Sequence, residues 1–129
     1  MKKQLLLAVA IALSTSMAWG ADWLNVYKTK AEDLSLDVES ISTNNGYVAV
    51  WVRRDIHDSK SGLKSGGKPV RRLMMRWTIN CHERTMATGA ATAYGANGTV
   101  LGSIDGTPTV FSDVVPDSNG DTVMKVVCP

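Results

Sequence analysis

Residues 72–84 read RLMMRWTINCHER, and the alternation in this stretch decides the fold. Leu73, Met75, Trp77, Ile79 and Cys81 fall on odd positions, whereas Arg72, Met74, Arg76, Thr78, Asn80, His82 and Arg84 fall on even ones. Successive side chains of a strand point to opposite faces. One face is therefore apolar and the other mostly polar and basic. The pattern predicts a long strand over residues 70–84, with Cys81 toward a core and His82 away from it. A neighbouring Cys and His can serve a thiol nucleophile or a metal, but regular β geometry separates these two.

Working outward, the same period recurs. Trp23 to Tyr27 reads as a first strand, and Leu34, Leu36 and Val38 alternate with Ser35 and Asp37. Asn44-Asn45-Gly46 is a turn signal ahead of YVAVWVRR, residues 47–54, whose β-branched and aromatic content predicts another strand. Residues 57–69 are rich in Ser, Gly and Lys and predict a mobile surface loop. Residues 85–94 continue as threonines and small residues, and Gly95-Ala96-Asn97-Gly98 predicts a hairpin before a returning strand at 99–104. Near the C-terminus, Ser118 and Asp121 fit a capping box, and Val123, Val126 and Val127 share one face of a short helix. Valine is a poor helix former, so the residues alone leave helix and strand open there.

The N-terminus sets the compartment. Lys2 and Lys3 precede a short apolar run, and Ala18-Trp19-Gly20 fits a small-x-small cleavage pattern. Residues 1–20 read as a secretory signal peptide, with cleavage after Gly20 or, alternatively, Ala18, because the run is too short to span a bilayer. Residues 21–129 then form a single domain. No cysteine near the cut offers a lipid-anchor acceptor. The only two cysteines, Cys81 and Cys128, would meet an oxidising environment, which predicts a disulfide. Closing that loop contributes about 4 kcal/mol in the chain-entropy account.

The whole chain has 14 Lys+Arg against 12 Asp+Glu, and loss of Lys2 and Lys3 balances it. The distribution is uneven. Residues 53–84 hold nine bases and three acids, while both flanking segments are acidic. A basic strand face of this kind suits a polyanion or an acidic protein patch, through charge-assisted hydrogen bonds.

Several chemical motifs fail on context. GLKSGGK, residues 62–68, begins like a phosphate-binding loop, but Pro69 stands where Ser or Thr must hold magnesium. Asp117, Asn119 and Asp121 echo a calcium loop without its glycine or closing glutamate. His57 and His82 lack close spacing and a third metal ligand. In GSIDG, residues 102–106, the serine is one place early for a nucleophile elbow. Basic and aromatic residues at Arg53, Arg72, Arg76 and Trp51 imitate a nucleic-acid platform, but export and balanced charge argue against that partner.

Taken in order, Trp23, YVAVWVRRD (47–55), RWTINCHER (76–84), Tyr94 with its glycine turn, and VVPDSNGDTVMKVVC (114–128) resemble the surface-adhesin protein E family. The resemblance implies an α+β fold: an antiparallel β-sheet of about six strands, with a short C-terminal helix packed on one face and tied by the disulfide. It implies a non-enzymatic adhesin without cofactor, binding host extracellular-matrix or plasma proteins. The adhesin that names the family looks lipid-anchored, and this chain lacks the acceptor cysteine. The alternative is therefore a soluble periplasmic inhibitor or envelope-stress protein. The expected core face carries Leu73, Met75, Trp77, Ile79 and Cys81. The candidate binding face carries Arg72, Arg76, His82 and Arg84, joined by Trp51 and Arg53. The expected partner is a host or envelope protein, or a polyanionic glycan. Open sheet edges also allow a homodimer.

Overall fold

The computed structural model describes residues 21–129 other than Ser59 and Ser61; residues 1–20, expected to be a signal peptide, lie outside the described residues. Its spine is a pair of long neighbouring strands, β4 (Tyr47–Ile56) and β7 (Arg72–Asn80), in antiparallel register from Tyr47 opposite Asn80 to Asp55 opposite Arg72. On one side of β4 lie β2 (Glu32–Asp37) and then β1 (Trp23–Lys28), with the short β3 (Ser42–Asn44) pairing the remainder of β4. On the other side β7 pairs β8 (Thr85–Tyr94). The far edge of β8 is shared by β9 (Val100–Ile104) and β10 (Ser112–Asp113). Among the described residues the sheet thus has eight strands, not about six, and a separate hairpin, β5 (Lys64–Ser65) with β6 (Lys68–Pro69), adds two more. The helix α1 (Asn119–Val127) closes the chain.

The turns follow local chemistry. Asn45 and Gly46 both have positive φ (52° and 83°), as a two-residue hairpin requires. Gly66 and Gly67 do the same for β5–β6 (57° and 79°), so the segment expected to be a plain loop contains a hairpin.

The expected strand over 70–84 is shorter at both ends. It stops at Asn80, whose side-chain oxygen accepts the Glu83 backbone N–H at 3.0 Å. Cys81 to Arg84 then make a turn, closed by Arg84 at φ 53°. Cys81 and His82 are separated by this turn and not by strand alternation.

The core lies between α1 and one face of the sheet. Leu34, Leu36, Val50, Val52, Trp77 and Ile79 meet Val114, Val123 and Met124 there. Burying these nine side chains supplies roughly 2 kcal/mol each before conformational entropy is set against it. The buried face of α1 is Gly120, Val123 and Met124; Val126, expected on it, is 44% exposed. Met75 and Cys81 pack on the cluster, but Leu73 does not belong to it. Leu73 is in register with Ala93, and Ala93 with Gly102, beyond the reach of the helix. The β5–β6 hairpin lies against this second stretch: a Cβ at Gly102 would meet the Ser65 hydroxyl at 3.1 Å.

The helix is fastened at both ends. The Cys81–Cys128 disulfide ties its C-terminus to the β7–β8 turn. At its N-terminus Ser118 accepts the Asp121 N–H at 3.3 Å, one half of the expected capping box. The other half is redirected, because Asp121 accepts from the Asp117 N–H and from Arg84 and Lys125.

Candidate binding face

The face of the sheet opposite the helix is set by register. Trp51 lies across from Arg76, Arg53 across from Met74, and Asp55 across from Arg72, so all six side chains leave on one side. Trp23, at the start of β1, reaches the same side. The Arg53 guanidinium carbon sits 4.4 Å from the Trp23 ring centre, and that of Arg76 sits 5.8 Å from the Trp51 ring centre. Two tryptophans and two arginines therefore form two stacked pairs, Trp51 with Arg76 across the neighbouring strands β4 and β7, and Trp23 of β1 with Arg53 of β4 across the intervening β2. A guanidinium held over an indole is attracted by the ring's negative face and is already desolvated on one side.

Charge on this face is more balanced than the sequence segment suggests. Asp55 accepts a hydrogen bond from Arg72 at 2.6 Å and forms an ion pair with Arg53 at 3.0 Å, in which the Arg53 Nε–H is not aimed at the carboxylate. Asp33, opposite Asp55 on β2, pairs with His57 at 3.0 Å. Among the described residues Arg76 has no carboxylate within ion-pair distance. Segment 105–111 rims the face on the other flank. Phe111 meets the Tyr47 ring at 5.6 Å, and Ala87, on this side of β8, is only 3% exposed. Gly89 and Gly106 make the crossing possible, since a Cβ on either would lie 3.0–3.1 Å from the other's carbonyl oxygen.

The six expected residues separate into groups. Trp51, Arg53 and Arg76 come together, and Arg72 continues the row but is held by Asp55. His82 projects from the β7–β8 turn with its side chain 94% exposed. Arg84 is placed elsewhere: the turn swings it to the helix side, where it reaches Asp121 at 3.3 Å. Trp23 and Asp55 belong to the face and were not anticipated. Asp55 follows Trp51 and Arg53 in the alternation of β4, whereas Trp23 joins the face only through register across β1, β2 and β4.

The helix side carries a second polar cluster. The Tyr27 hydroxyl bonds Glu32 at 2.7 Å and Asn119 at 2.8 Å, and Glu32 also accepts from Arg54 at 2.9 Å. Burial first, then the bond to Glu32, pushes the Tyr27 phenol up to about 12. Burial works to raise Glu32, but hydrogen bonds from Tyr27 and Arg54 outweigh it and hold its carboxyl below the usual range. The Asp117 backbone N–H and Lys125 hold Asp121 low in the same way. These groups are engaged in mutual bonds that fasten α1 to the sheet. Among the described residues no three His, Cys, Asp or Glu side chains gather as a metal site, and no helix is long and apolar enough to cross a membrane.

Comparison with known proteins agrees with this architecture. The family model described as surface-adhesin protein E matches residues 23–129. The structure of crystal form II of Haemophilus influenzae protein E superposes with a TM-score of 0.57 at 12% identity, covering 82% of this chain and 86% of that one. The selenomethionine form of Haemophilus influenzae protein E gives 0.57 at 13% identity, with 82% and 84% covered. Protein E from non-typeable Haemophilus influenzae gives 0.56 at 13%, with 82% and 74% covered. No curated protein matches the chain.

Proposed function

The chain belongs to the surface-adhesin protein E family, and from that premise we propose that it is an exported, non-enzymatic binding module that holds a host matrix or plasma protein on the sheet face opposite its helix. The observation that carries this reading is the Trp51–Arg76 pair. It is a cation stacked on an indole, without a carboxylate partner among the described residues, beside a second such pair at Trp23 and Arg53. Protein interfaces draw most of their binding energy from a few Trp, Tyr and Arg side chains held rigid before the partner arrives. The other sheet face is filled by α1 and cannot serve.

The test is binding of purified protein to immobilised extracellular-matrix and plasma proteins, comparing wild type with Arg76→Ser and Trp51→Ala. Saturable binding that both variants weaken about tenfold or more supports the reading. Wild-type binding that neither variant changes removes this face. Absence of binding to any host protein, with protection from protease on intact cells, favours the periplasmic inhibitor role instead.

A further inference from the structure

Among the described residues, most cations without a carboxylate partner lie away from the Trp–Arg pairs. Residues 60–72 carry Lys60, Lys64, Lys68, Arg71 and Arg72 and no acid. In the β5–β6 hairpin Lys68 shares a face with Ser65, which rests against Gly102 of β9, and Lys64 stands with Pro69 on the other face, flanking the same end of the sheet. Two adjoining hollows, of about 430 and 360 Å³, open at this end of the sheet and share Arg71 and Gly95. One wall is Lys68, Pro69 and Arg71, and the other is the β8–β9 turn with Asn97. Beyond Arg71 the trough continues past Arg72 and Tyr94. Its one carboxylate, Asp55, is already engaged by Arg53 and Arg72. Among the described residues Lys64, Lys68 and Arg71 have no carboxylate partner.

We propose that this trough binds a linear sulfated glycan. It is open along its length, so it suits a chain and not a small molecule enclosed on all sides. Its cations stand on successive elements and match charges repeated along a polymer. Sulfate stays ionised at every pH the protein tolerates, and Lys and Arg meet it with charge-assisted hydrogen bonds. Tyr94 supplies a ring for a sugar face, and Asn97 supplies a side-chain amide for ring hydroxyls. The trough meets the end of the Trp–Arg row at Asp55, Arg72 and Met74, but Trp23, Trp51 and Arg76 line neither hollow, so the proposal stands whether or not a host protein binds at the stacked pairs.

Calorimetric titration with a heparin-derived octasaccharide at about 0.15 M salt tests the proposal. Wild type should bind saturably. The variant Lys64→Ser/Lys68→Ser/Arg71→Ser should bind about 30-fold more weakly, with the slope of log affinity against log salt shallower by about two to three. Arg76→Ser should bind like wild type. Should the triple variant show no cooperative thermal transition, Lys64→Ser/Lys68→Ser decides, because both lysines are exposed and should be removable without loss of fold. No saturable binding by wild type, or unchanged binding by the variants, overturns the proposal. Equal affinity for the desulfated sugar, or tighter binding of an oligoglutamate peptide, overturns the assignment to sulfated glycan.

Discussion

Arg53 and Arg76 look alike in sequence, yet the structure gives them different work. Arg53 stacks on Trp23 and shares Asp55 with Arg72. Removing it strips a partly buried carboxylate of one partner, so Arg53→Ser should cost about 1–2 kcal/mol of stability in a denaturant titration. Arg76 holds no acid, and Arg76→Ser should change stability by no more than about 0.5 kcal/mol while weakening partner binding. Tyr27 offers a spectroscopic check at the same scale. Its folded-state value, about 12, lies above that of a free phenol, so its stabilisation is complete below roughly pH 10 and fades between there and pH 12. Ultraviolet titration should show one phenol ionising only near pH 12, and Tyr27→Phe should abolish that late step.

Among the elements, α1 depends most on its fastenings. Its nine residues fall short of the length at which a helix stands alone in water, so its cover over the core is maintained by what grips it. The disulfide is one grip, and Cys81→Ser/Cys128→Ser should lower unfolding free energy by about 4 kcal/mol in the chain-entropy account, measured against the oxidised protein. Asp121 and Glu32 are others. Both carboxyls are held below their ordinary values, so their contribution is present above the ordinary carboxylate range and is lost as pH falls through their lowered values. Melting temperature should drop as pH is taken below about 4, and Asp121→Asn should flatten that dependence. The strands that formed this scaffold were legible because alternation reports burial directly, as at Val48, Val50 and Val52. What stayed hidden depended on contacts between elements. Nothing local announces that Asn80 ends β7 by capping Glu83, or that Ser35 and Asp37 are buried opposite Asn25 and Trp23. Met124 replaced Val126 on the helix's inner face because the capped start at Ser118 fixes the phase that Val123, Val126 and Val127 alone leave free.

Over the whole molecule, burial is concentrated on one face and recognition is left to the other face and one end. The helix and the β5–β6 hairpin cover different lengths of the same sheet face. The Trp–Arg row remains open on the opposite side, and the cationic trough lies where β6, β7 and the β8–β9 turn converge. Arg76 lines neither hollow of the trough, so the two sites should act independently. Combining Arg76→Ser with the Lys64, Lys68 and Arg71 substitutions should give the sum of the individual losses in binding free energy, within about 0.5 kcal/mol. The basic segment 53–84 was legible in the sequence as one patch. Its division into a compensated row, a helix clamp at Arg84 and a free trough was not, because the acids that sort it, Glu32, Asp55 and Asp121, come from three separate elements. The bond between Cys81 and Cys128 has a mechanical meaning as well. Tension applied at Pro129 passes through sulfur into the β7–β8 hairpin without loading the helix, and the intervening 47-residue separation is withheld from stretching. Single-molecule pulling should therefore release about 160 Å more chain after reduction than before it.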